Sequence, residues 1–79
     1  MNDLDAVLLQ AIDNLGGCDY GVPIYHEAVR LRGSDFGLVA MYFALDDLVE
    51  KHYLQSYYGE ATKERGGRRK KYYRRLYAI

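Results

Sequence analysis

Apolar residues recur along most of this chain at helical spacing, and near its end they give way to two short β-rich runs. From Asp3 to Leu15, the positions Leu4, Val7, Leu8, Ile12 and Leu15 share one face, with Asp5, Gln10 and Asn14 turned elsewhere. Asp3 is the expected cap of this helix and Gly16-Gly17 its stop. Cys18-Asp19-Tyr20-Gly21 then reads as a short link. Pro23 suits a first helical turn, and Ile24, Ala28, Val29 and Leu31 mark a second helix closed by Gly33. Ser34-Asp35 opens a third helix that runs to about Lys51. Its core stripe is Leu38, Met41, Tyr42, Leu45, Leu48 and Val49. The opposite face carries Phe36, Ala40, Phe43, Asp47 and Glu50, with Val39 and Asp46 beside them, so both phenylalanines tend outward. Phe36 has a bland explanation as a staple at the helix entrance. Phe43, in mid-helix, has none.

After His52-Tyr53 the period changes. Leu54 to Tyr58 is β-rich, residues 59–67 are polar with three glycines, and Lys70 to Ile79 is a second run rich in tyrosine. Two strands joined by a basic loop make a hairpin. Three helices followed by a hairpin is the plan of a winged helix-turn-helix, an α+β fold, and the tight Gly33-Ser34-Asp35 link suits the turn between its second and third helices. In such a module the third helix enters the major groove and the hairpin reaches the backbone or minor groove. Seventy-nine residues hold one such domain, 1–79, with no room for a second.

Charge sharpens this picture. The chain is neutral overall, yet residues 1–64 hold four basic and all eleven acidic side chains, a net −7, while residues 65–79 hold seven basic ones and no acid. A cationic end on an acidic body seeks phosphate or an acidic protein surface, or else satisfies its own domain's acids. Arg65, Arg68, Arg69, Lys70 and Lys71 are the candidate phosphate contacts, with Gly66 and Gly67 allowing close backbone approach. Neutralising about five phosphates predicts a slope of log affinity on log salt of roughly −4 to −5.

The segment Glu64-Arg65-Gly66-Gly67-Arg68-Arg69-Lys70-Lys71-Tyr72-Tyr73-Arg74 resembles the wing of PadR-like transcriptional regulators. Leu15-Gly16-Gly17 through Tyr20-Gly21-Val22-Pro23-Ile24, and Tyr42 through Leu45-Asp46-Asp47-Leu48-Val49-Glu50-Lys51, agree with that family in order and spacing. The resemblance covers nearly the whole chain and implies a DNA-binding repressor module whose partner is double-stranded DNA. Gly37, Ala40, Phe43 and Ala44 stand where the family carries the small and hydroxyl-bearing residues of its reading helix. Ala40 and Phe43 suit thymine methyl groups, whereas Asp46, Asp47 and Glu50 would repel phosphates if they faced the duplex.

The chain departs from the family in three places. His52 replaces the glycine that ends the third helix, Arg75-Leu76-Tyr77-Ala78-Ile79 replaces the usual continuation, and the C-terminal helical segment that normally makes the dimer is absent. A homodimer through another surface is therefore a second candidate partner, with Val39 and Phe43, joined by Phe36, as one candidate interface and the apolar side of the first helix as another. The small-molecule responses common in the family use the dimer cavity and are not carried over, which leaves any effector unassigned. Tyr57, Tyr72 and Tyr77 are expected to be half-buried in ordinary hairpin packing.

The competing reading is a protein-interaction module, in which an acidic, apolar third helix docks another protein. Catalysis is a distant third. Ser34, Ser56, Cys18, His26 and His52 form no nucleophile–base motif, and Asp46-Asp47 diverge on a helix. His26 has no second ligand at metal spacing and reads as a surface histidine, so no cofactor or metal is expected. A lone Cys18 fits a reducing cytoplasm, and no apolar run is long enough for a membrane partner.

Overall fold

In a computed structural model, residues 2–59 and 69–77 are described. They form α1 (Asp3–Asn14), β1 (Cys18–Tyr20), α2 (Gly21–Arg32), α3 (Leu38–Glu50), β2 (Leu54–Tyr58) and β3 (Lys71–Arg75). The fold is α+β, three helices against one antiparallel sheet of strand order β1-β3-β2. The sheet is built on β3, where Tyr72 pairs with Tyr20 on one side and Tyr57 on the other.

β1 lies where a plain link was expected. Three residues are too few to show a strand's alternation, and this strand exists because β3 offers it an edge: the pairing Cys18 with Arg74 is extended by the Arg75 amide donating to the Gly17 carbonyl at 2.8 Å. Gly16 and Gly17, at φ 93° and 91°, turn the chain from α1 into that strand. The cap of α1 is also one residue earlier than expected, since the Asp5 amide donates to Asn2 Oδ1 at 2.8 Å. Asp5, expected on the polar side, is buried.

Helix α2 begins at Gly21, which keeps Pro23 in the first turn, and Gly33 closes it in the left-handed conformation as expected. Asn14 of α1 and Arg30 clasp Glu27, and the Arg30 guanidinium, foremost, holds its carboxyl down at about 2. Helix α3 starts at Leu38, not at Ser34-Asp35. Asp35 instead makes the turn: its carboxylate accepts from the Gly37 amide at 2.8 Å and from the Tyr25 hydroxyl. Gly37 at φ 83°, ψ 148° has a backbone that no helix can include. Phe36 consequently lies in the connection and not on the outer helix face. Its ring meets Tyr25 edge-on at 5.6 Å and packs against the core.

The core is built from Leu8, Ile12, Ile24, Met41, Leu45, Leu48, Leu54 and Tyr73, all buried. The α3 stripe is thus narrower than its periodicity suggests. Leu38 hangs past the end of the core and Tyr42 is exposed on one side. The Tyr42 phenol covers the start of α2, where a Cβ on Gly21 would overlap it.

His52 departs most from local preference. It ends α3 at φ 68°, with its amide donating to the Val49 carbonyl and the Tyr53 amide to that of Leu48. A side chain in this region is strained by about 1 kcal/mol, less for histidine than for a branched residue. His52→Gly is expected to raise stability by about 0.5 kcal/mol or more, because glycine relieves the strain at the cost of unfolded-chain entropy. A rise in the urea midpoint at constant slope is the readout, and a fall would show that the imidazole stabilises the turn.

Candidate nucleic-acid interface

The outer surface of α3 presents Val39 (70% exposed) and Phe43 (74% exposed), with Ala40 exposed between them. These residues follow from helical geometry once Met41, Leu45 and Leu48 are buried. Gly37 is exposed at the helix cap, whereas Ala44 is half-buried against the core and is turned away from this surface. Val39, Tyr42, Phe43 and Asp46 surround a shallow depression of about 260 Å³.

The start of β3 stands beside this helix. Lys71 Nζ lies 3.6 Å from Asp46 Oδ1, which ties the basic end of the strand to the exposed side of α3. Lys51 likewise meets Asp47 at 2.8 Å. Two of the three α3 carboxylates that would repel phosphate are therefore partly neutralised. Each pair lies near the surface and contributes little to stability, but it lowers the local negative potential. The third, Glu50, is the last residue of α3. Seven residues separate it from Phe43, roughly 10 Å along the axis.

Of the basic positions expected to touch DNA, Arg69 is exposed and meets no carboxylate among the described residues. Lys70 sits over the Tyr20 ring, Nζ 3.8 Å from its centroid. Lys71 is engaged with Asp46, so its charge is shared with the protein's own acid. Arg65, Gly66, Gly67 and Arg68 lie outside the described residues.

Two arrangements were not anticipated. The first is the Lys71–Asp46 contact, for which a basic run and an acidic helix separated by a hairpin leave only a diffuse signal. The second is a row of aromatic rings on the sheet. Tyr57 stacks on Tyr72 at 5.6 Å with 13° between planes, and Tyr72 meets Tyr20 at 5.8 Å. Tyr72 is half-buried, as expected of it, but Tyr57 and Tyr77 are exposed. The Tyr57 hydroxyl lies 3.2 Å from Cys18 Sγ, and that neighbour, with burial, pushes the phenol up.

Among the described residues, no group of three or more His, Cys, Asp or Glu side chains is placed to hold a metal ion, and no helix is long and apolar enough to cross a membrane. His26 is exposed. No family model, curated protein or solved structure matches the chain.

Proposed function

We propose that this chain is a winged helix-turn-helix module of the PadR kind, a non-enzymatic transcriptional regulator that binds double-stranded DNA. In this reading α3 lies in the major groove and the hairpin of β2 and β3 is the wing. The observation that carries it is the Lys71–Asp46 contact, which sets the cationic start of β3 beside the exposed face of α3. One duplex then meets both, phosphates against Arg69 and Lys70 and base edges against Val39, Ala40 and Phe43. Val39, Ala40 and Phe43 carry no hydrogen-bonding group, so their readout is apolar contact with thymine methyl groups. Orientation comes from the wing.

The test is the double substitution Arg68→Ala with Arg69→Ala, read by retention on a duplex-DNA column and by salt titration. Each lost phosphate contact is expected to weaken binding across sequences and to flatten the salt slope by about 1. Unchanged retention refutes the reading. A protein-docking function is the second reading, favoured by the exposure of Val39 and Phe43 around their depression. It predicts no retention on duplex DNA even at low salt.

A further inference from the structure

The helices cover one face of the sheet, where Leu54 and Tyr73 are buried. Strand alternation and register put Cys18, Tyr20, Gln55, Tyr57, Tyr72 and Arg74 on the other. Across its middle runs the row Tyr20, Tyr72, Tyr57, one ring from each strand, about 10 Å from end to end. Tyr57 is 43% exposed and lies nearly parallel to Tyr72.

Four described cations outside this face pair with acids, while Arg32 lies over the Phe36 ring at 5.5 Å and Arg69 is exposed. Arg30, Lys51, Lys71 and Arg75 each approach a carboxylate, of Glu27, Asp47, Asp46 and Asp13 respectively. Arg74 instead donates to the neutral Gln55 amide, and Lys70 rests on the Tyr20 ring. None of the six face residues is acidic. Two positive charges with neutral partners thus flank an aromatic row, a surface complementary to a polyanion that also carries flat rings.

We infer that this outer sheet face binds single-stranded DNA, with bases stacked on the Tyr57–Tyr72 pair and phosphates drawn to Lys70 and Arg74. Rings on a sheet offer π-surfaces that unpaired bases stack on with little sequence preference, and flanking cations follow the backbone. An acidic peptide would use the cations and leave the rings idle, so the aromatic row favours nucleic acid. The neutral polar groups beside the row, the Gln55 amide oxygen and the Tyr57 hydroxyl, already have partners in Arg74 and Cys18. Deoxyribose therefore loses nothing here. The site shares Lys70 with the duplex surface proposed above, but its aromatic row and Arg74 lie off α3 and do not depend on that reading.

The experiment titrates the full chain with an oligothymidylate of about ten nucleotides at low salt, within the range one small domain covers. The chain has nine tyrosines and no tryptophan, so quenching of tyrosine fluorescence reports stacking directly. Tyr57→Leu is expected to weaken binding about tenfold or more, while Tyr57→Phe, which keeps the ring, stays within about twofold. Arg74→Gln is expected to flatten the salt slope by about 0.7. Duplex retention by Tyr57→Leu stays at the parent level, which separates this site from the one on α3. Absence of binding overturns the inference, as does equal affinity for the oligothymidylate in the parent and in Tyr57→Leu. Oligoglutamate binding as tightly as oligothymidylate also overturns it, because the face would then be an acidic-peptide site.

Discussion

Raising the salt from about 50 to about 200 mM is expected to weaken duplex-DNA binding by roughly 150-fold, less than the basic run suggests by count. Five cations, Arg65 to Lys71 without the glycines, would give a slope near −4.5 and a loss of about 500-fold over the same interval. Lys71, however, lies 3.6 Å from Asp46, so about four charges remain for phosphate and the slope falls to about −3.6. Asp46→Asn tests that difference. It releases Lys71 and removes a negative charge from α3, so affinity at low salt rises and the slope steepens by about 0.9. A slope that Asp46→Asn leaves unchanged would show that Lys71 either already contacts phosphate in the parent or never does.

Tyr73→Ala is expected to cost about 3–5 kcal/mol, the range for emptying a buried aromatic site. Tyr73 is 1% exposed, in the central strand, with Ser56 opposite it on β2 and Asp19 on β1. A domain of this size is stable by only about 4–12 kcal/mol, so the variant is unfolded or close to it at room temperature. Urea denaturation followed by circular dichroism gives the loss, and a change under about 1 kcal/mol would mean that the sheet does not depend on this ring. The same residue governs alkaline behaviour. Burial, with smaller help from Asp46, pushes the Tyr73 phenol from 10.0 to about 12. The folded chain therefore holds this proton more tightly than the unfolded chain does. The resulting stability is complete below about pH 10 and is lost as pH rises toward about 12. Tyr73→Phe keeps the ring and abolishes the ionisation. Its midpoint is expected to fall less steeply through that window, and an identical alkaline limb in both proteins would contradict the assignment.

The differences between the expected and observed elements share a cause. Cys18 to Tyr20 holds no pattern of its own, and its pairing partners lie more than fifty residues away on β3. The start of α3 moved by four residues because Asp35 binds the Gly37 amide and the Tyr25 hydroxyl, a local turn that competes with helix extension. Asp5 appeared polar by type yet is buried, and Tyr42 appeared apolar by stripe yet is exposed. In both cases the neighbouring elements decide how much of a helical face is covered. His52 is the converse: it stands where the resembled family has the glycine that ends the third helix, and the backbone there has the φ of 68° that glycine adopts freely.

Three helices in order, the two strands that follow them, Phe43 standing outward and the separation of charge were all set by the chain itself, because 3.6-residue and two-residue periods and side-chain charge are local properties. The third strand, the approach of Lys71 to Asp46 and the alignment of Tyr20, Tyr72 and Tyr57 into one row were decided only in three dimensions. Each joins residues far apart in sequence through the register of β3, and register depends on which edges and faces the packed helices leave available.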